Sequence, residues 1–228
     1  VSDRLRLLLL SLAALPLLLL AGCEAAAYVA QAAVDPKIPA LYDIEDRPTL
    51  IVVDDPRKLM GDPAMTGVIA DQISLELRQG KALKTVIDPL KLRDEQIRLG
   101  DAYEATALDQ LGRTLGAEQV IHVQVEDVQL QGAPGVLKPR GLTRVKLIDT
   151  QKGKRLFPPA QTGEAKSGVS PQPRGQPVLS ELFYQQLSQD TRAELNRVVR
   201  ELAVRMGRDA AYVFYDHPKR PVGAGFDP

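Results

Sequence analysis

No tryptophan occurs in this chain, aromatic residues make up only 4 % of it, and there is a single cysteine. Each scarcity excludes something. With one thiol there is no internal disulfide, so stability has to come from packing. Few aromatics make that packing aliphatic and leave no stacked-ring platform for carbohydrate. Lys+Arg and Asp+Glu number 29 each, and a chain so balanced carries no electrostatic footprint for nucleic acid. With His122 and His217 as the only histidines, a zinc site of ordinary composition cannot be assembled. No Gly-x-Ser-x-Gly elbow, phosphate-binding loop or Gly-x-Gly-x-x-Gly pattern occurs, so hydrolase and nucleotide-binding readings have no support. The expectation is a protein that is not an enzyme and needs no cofactor or metal.

What is present begins with an apolar run, Leu7 to Leu20, preceded by Arg4 and Arg6 and closed by Leu20-Ala21-Gly22-Cys23. A spanning helix needs roughly 20 mainly apolar residues; this run is shorter, is interrupted by Pro16 and ends in small residues. It resembles a bacterial lipoprotein signal. That resemblance implies cleavage between Gly22 and Cys23 and fatty acylation of the Cys23 thiol, which anchors the chain in a membrane facing the periplasm. In lipoproteins an Asp after the cysteine is the usual inner-membrane retention signal. Glu24 stands there instead, which points to the outer membrane.

The rest reads as one α/β domain with tails: a mixed sheet of about five strands covered by helices, an antiparallel hairpin at one edge and a long C-terminal helix. Residues 1–22 are the signal and 23–48, Ala-rich and then punctuated by Pro36, Pro39 and Pro48, a tether. The core spans 49–158, a Pro/Gly-rich loop or extended edge segment 159–179, an amphipathic helix 180–216, and a flexible tail 217–228. Thr49 to Val53 is a continuous apolar run, as in a central strand buried on both faces. Asp62-Pro63 predicts a helix start, with Met65, Val68, Ile69, Ile73 and Leu77 recurring at helical spacing until Gly80. Lys84 to Asp88 reads as a second short strand and Lys91 to Arg98 as a helical piece.

Asp101 and Glu104 have the spacing of a capping box, opening a helix that ends at Gly116. Gln119 to Val128 is a strand with Ile121, Val123 and Val125 on one face and a partly solvated second face carrying a solitary His122. In Gly141 to Asp149, Val145 and Leu147 alternate with Arg144 and Lys146, and a turn at Thr150 to Gly153 returns the chain through Phe157. The last helix places Thr191, Leu195, Val198, Val199, Leu202, Met206 and Val213 on one side. Arg197, Arg200, Glu201, Arg205 and Arg208 line the other, which reads as a solvated face or as one that meets acidic lipid or a partner. Tyr212, Phe214 and Tyr215 read as an anchor to the sheet or, if exposed, a docking patch.

Three pieces carry a family resemblance: Leu50 to Val53 followed by Ile69-Ala70-Asp71-Gln72-Ile73 and Val86-Ile87-Asp88; the helix-to-strand junction Leu111-Gly112-Arg113-Thr114-Leu115-Gly116-Ala117-Glu118-Gln119-Val120-Ile121; and the hairpin Val145 to Lys154. Together they resemble the periplasmic α/β domain shared by the amino-terminal part of TolB, the lipoprotein activators of penicillin-binding proteins and the curli secretion lipoprotein CsgG. The chain lacks the long alternating segments of a transmembrane hairpin and the blade repeats of a propeller.

The candidate ligand site is Asp54 and Asp55, at the carboxyl end of the first strand, where open α/β sheets bind ligands. Paired carboxylates suit Mg²⁺ or Ca²⁺ or resemble the acidic pocket of a receiver domain; the alternative is a solvated strand end before a proline turn. Three functions stay open. The chain is a membrane-anchored accessory or assembly factor for an envelope protein partner, a homo-oligomeric subunit of a secretion or envelope complex, or a metal-dependent or receiver-like domain.

Overall fold

The computed structural model describes residues 37–131, 137–159, 175–182 and 192–219. Gly22, Cys23, the signal, most of the tether, most of the 159–179 segment, Thr191 and the last nine residues lie outside them. The chain divides into two units, residues 1–38 with 218–221 and residues 39–217 with 222–228. Of the first, the two-residue strand Lys37–Ile38 is described. The account below concerns the second.

Strand β1 (Thr49–Asp54) is buried along its apolar run on both faces, yet it is not central. It stands at one end of a five-stranded sheet, parallel to β2 (Gln119–Gln131). β2 pairs antiparallel with β3 (Leu137–Asp149). Two strands then share the far edge of β3: β4 (Lys154–Phe157) pairs with residues 147–149 and β5 (Gln176–Glu181) with residues 140–145. The sheet is therefore mixed, with its hairpin at one edge as expected.

The expected strand at Lys84 to Asp88 shrinks to a single parallel bridge between Thr49 and Val86. Thr49 N–H donates to the Thr85 carbonyl (3.1 Å) and Ile87 N–H to that of Thr49 (2.8 Å). Pairing stops there because Asp88 caps the next helix, accepting the Leu90 N–H at 2.9 Å, and Pro89 has no N–H to continue a ladder.

Side chains alternate across the sheet. On one face Ile51, Ile121, Val123, Val125, Val145, Leu147 and Phe157 are buried together with Met65, Ile69, Ile73 and Leu77 of α1 (Ala64–Gln79) and Leu202, Ala203 and Met206 of α4 (Arg192–Ala211). Asp62 Oδ1 accepts the Ala64 N–H at 2.8 Å, but α1 opens one residue later than predicted, at Ala64, with Pro63 in the N-cap position rather than the first helical one. On the opposite face Leu50, Val52 and Val120 pack with Leu111 of α3 (Leu108–Thr114) and Ala117, joined by Leu92 and Leu99 of α2 (Pro89–Leu99). The second face of β2 is thus not solvated throughout: Val120 and His122 are buried, and the strand becomes polar only beyond them.

Four further expectations change. Residues 39–48 are docked rather than a free tether: Ile44 is in the core, and the Leu41 and Tyr42 N–H groups both donate to the Val213 carbonyl at 3.0 Å. The Asp101–Glu104 capping box opens no helix, because Gly100–Ala102 forms a 3₁₀ turn and extended backbone at Ala107 delays α3 to Leu108. Ser180 and Glu181 belong to strand β5, whose β-branched Val178 and edge Pro177 suit a ladder. The last helix ends at Ala211, where the Val213 carbonyl is claimed from outside the helix and the Phe214 side chain is fully buried.

Candidate functional site

Asp54 and Asp55 adjoin in sequence but serve different partners. Asp55 Oδ1 and Oδ2 accept the Leu59 and Met60 N–H groups, each at 2.9 Å, and so fold the loop after β1 back on itself. Asp54 turns the other way, where Oδ2 lies 2.8 Å from His122 Nε2. His122 is opposite Val52 in the parallel register and Asp54 is opposite Gln124, so the pair closes diagonally on one face. The solitary histidine of the sequence is therefore paired and only 6 % exposed.

The antiparallel register carries this face onward. Lys146 is the partner of His122 and Arg144 of Gln124, while Arg155 on β4 stands opposite Ile148. Period-two alternation puts Asp54, His122, Gln124, Glu126, Arg144, Lys146 and Arg155 on the face that α1 and α4 do not cover. Arg144 Nε and Glu126 Oε1 are 2.7 Å apart. Burial, and then the neighbouring Arg155 charge, push the Lys146 ammonium pKa down, while Asp54 and Glu126 pull it back up. Tyr103, from the stretch after the 3₁₀ turn, closes one side: burial raises its phenol pKa, a hydrogen bond with Gln96 lowers it, and the Asp54 charge raises it again.

With Nε2–H given to Asp54, His122 Nδ1 is left an acceptor; it is buried and makes no hydrogen bond. No hydroxyl or thiol among the described residues is hydrogen-bonded to His122. Among the described residues no three His, Cys, Asp or Glu side chains are grouped as a metal site, and no helix is long and apolar enough to cross a membrane.

Sequence reasoning did not find the Asp54–His122 pair, or that Tyr103 and Lys146 lie close enough to feel the Asp54 charge. The Arg144–Lys146 alternation signalled a polar face but not its neighbours. It also did not find Glu76. This carboxylate is buried at the α1–α4 seam, where it accepts from Arg208 Nε (2.6 Å), Gln72 Nε2 (2.9 Å) and the Tyr215 hydroxyl (2.9 Å). Arg208 thus faces inward rather than lining a solvated stripe, and Arg205 pairs with Asp209 at 2.8 Å.

No protein-family model matches the chain, and no curated protein does. Among solved structures it is similar to lipoprotein GNA1162 from Neisseria meningitidis, at 13 % identity over 67 % of this chain and 92 % of that one, with a TM-score of 0.42. It is similar to the PelC dodecamer from Paraburkholderia phytofirmans at 12 % identity, 80 % and 94 % coverage and a TM-score of 0.39. The hypothetical protein CT253 from Chlamydia trachomatis follows at 12 % identity, 72 % and 98 % coverage and 0.34. The chain is thus distantly similar in structure to bacterial proteins that include a lipoprotein.

Proposed function

We propose that this chain is a non-enzymatic lipoprotein of the bacterial cell envelope, anchored through Cys23, whose α/β domain binds another envelope protein as an accessory or assembly factor. The observation that carries the reading is the Leu20-Ala21-Gly22-Cys23 motif behind an apolar run too short to span a bilayer. At about 0.8 kcal/mol per buried methylene, two or three acyl chains make the anchorage effectively permanent. Confinement to a membrane then raises the effective concentration of the domain near its partner. The polar sheet face around Lys146 is the surface offered to that partner.

A second reading, a self-assembling subunit of an envelope complex, is favoured by β5. Among the described residues this strand pairs with β3 alone and exposes Leu179, and an edge strand is a template for further pairing. In-cell cross-linking of the tagged protein followed by mass spectrometry separates the two. One foreign adduct supports the accessory role, and a ladder of self-multiples replaces it with the oligomeric one. Cys23→Ala should abolish labelling by a clickable fatty acid; unchanged labelling would refute the anchor.

A further inference from the structure

We propose that the outer face of α2 is a two-fold contact with a second copy of this chain, in which the two helices lie side by side and parallel. Leu90 and Ile97 are the most exposed large aliphatic side chains among the described residues, at 64 % and 73 %. They are seven positions apart on α2 and so stand on one line along the helix, two turns or about 10 Å apart. The inner side of the helix is occupied: Leu92 and Leu99 pack on the cluster of Leu50, Val52 and Val120, and the buried Glu95 accepts from Arg98 Nε at 2.7 Å. An apolar line is thus held outward by a helix that is itself anchored.

Arg93 and Asp94 indicate what covers it. Both are exposed, and at 100° per residue they flank the Leu90–Ile97 line by about 50° on opposite sides. Side chains one position apart on a helix do not face each other, and among the described residues neither makes an ion pair. A two-fold axis running along the helices sets Leu90 on Leu90 and Ile97 on Ile97 of the other copy. It also turns the left flank of one helix against the right flank of the other, so each Arg93 meets the other copy's Asp94. An antiparallel two-fold keeps like flanks together and opposes Arg93 to Arg93 and Asp94 to Asp94, which is repulsive. The face is therefore self-complementary in the parallel arrangement alone. A lipid surface suits it less, because Asp94 stands between the two aliphatic residues. One helix of 11 residues per copy buries less than the roughly 1,200 Å² of a stable interface, so the dimer is a transient one. This contact depends neither on the Cys23 anchor nor on the edge of β5, and being two-fold it closes at two copies.

The test is oxidative trapping of the full chain in whole-cell lysate with copper phenanthroline, carried out with Cys23 present and again in a Cys23→Ser background, so that failure of the anchor reading is told apart from failure of this one. Leu90→Cys and Ile97→Cys should each give a disulfide-linked dimer, because facing positions of a parallel pair bring their Cα atoms within the roughly 4.4–6.8 Å that a disulfide needs. Leu75→Cys, exposed on α1, should give none. Added to Ile97→Cys, either Arg93→Asp or Asp94→Arg turns both ion pairs into repulsions and should lower the trapped fraction roughly fivefold; the two reversals together should restore it. All these side chains are exposed, and if one variant misfolds the other cysteine position and the double reversal still decide. No dimer from either position, a dimer only when the two cysteine variants are mixed, equal trapping by Leu75→Cys, a foreign adduct in place of the self-dimer, or single charge reversals without effect would each overturn the proposal.

Discussion

Arg208 of α4 donates Nε–H to Glu76 of α1 at 2.6 Å, joining two helices whose residues lie 132 positions apart in the chain. The carboxylate is 8 % exposed and its second oxygen takes the Tyr215 hydroxyl. Removing the cation leaves a buried charge underpaired. Arg208→Ala should therefore destabilise the domain by about 3 kcal/mol, and Tyr215→Phe, which deletes one hydrogen bond to a charged group, by about 1.5 kcal/mol. Urea unfolding of the two variants beside the parent checks both values.

Gly207 predicts a reversal of the usual rule. In a helix interior, Gly→Ala gains about 1 kcal/mol of propensity. At Gly207, however, a Cβ would sit 2.6 Å from the Ile69 carbonyl oxygen and 2.8 Å from Gln72 Cβ. Backbone on a packed helix cannot step aside, and overpacking costs about 1–3 kcal/mol. Gly207→Ala should lower the melting temperature; a rise would mean that α1 and α4 pack more loosely than this.

Leu202 is fully buried between α4 and the sheet. Leu202→Ala should cost about 2–5 kcal/mol by denaturant titration, and Leu202→Asp more, since a buried charge without a partner is added to the lost packing. A melting curve unchanged by Leu202→Asp would show the stripe to be exposed.

Asp149 closes β3 and caps the hairpin turn. Its carboxyl is held below the usual range by the Lys152 N–H above all, against the opposing effect of burial, with help from Arg47 and the Gln151 N–H. A folded pKa below the unfolded one gives stability that is complete above the unfolded value of about 3.9 and is lost as pH falls through the folded value. The urea-midpoint gap between the parent and Asp149→Asn should therefore be constant near neutrality and narrow only below pH of about 4.

Asp55 spends both oxygens on backbone N–H groups. Asp55→Ala should destabilise by about 1–2 kcal/mol, the scale of a lost cap. Titration of the parent with Mg²⁺ or Ca²⁺ should give no heat and no shift in melting temperature. A cation-dependent rise lost in Asp55→Ala would revive the acidic pair as a metal site.

Where local chemistry decides the outcome, the sequence was a good guide. The apolar stripe of α1, the alternation of β2 and β3 and the turn at Gly153 each depend on neighbours within a few residues, and each formed; the start of α1 fell one residue after the one predicted from Asp62-Pro63. The segments misread were those whose fate depends on distant partners. Residues 39–48 look like a spacer because prolines break every local period, yet Ile44 docks in the core and the Val213 carbonyl takes two of their N–H groups. Ser180 and Glu181 continue a helical pattern on paper but lie against Gly141 and Arg140 of β3 in the sheet. His122 looked solitary because Asp54, the group that pairs with it, is 68 residues away.

The sequence by itself determined the mixed α/β class and the hydrophobic faces, because composition, period and short-range spacing are properties of the chain before it folds. Only the tertiary structure decided which polar residues meet. Register between β1, β2 and β3 sets Asp54 on His122 and His122 beside Lys146, and helix packing sets Arg208 on Glu76. Such pairs are chosen by long-range pairing and by the need to satisfy buried polar groups once apolar burial has brought the elements together.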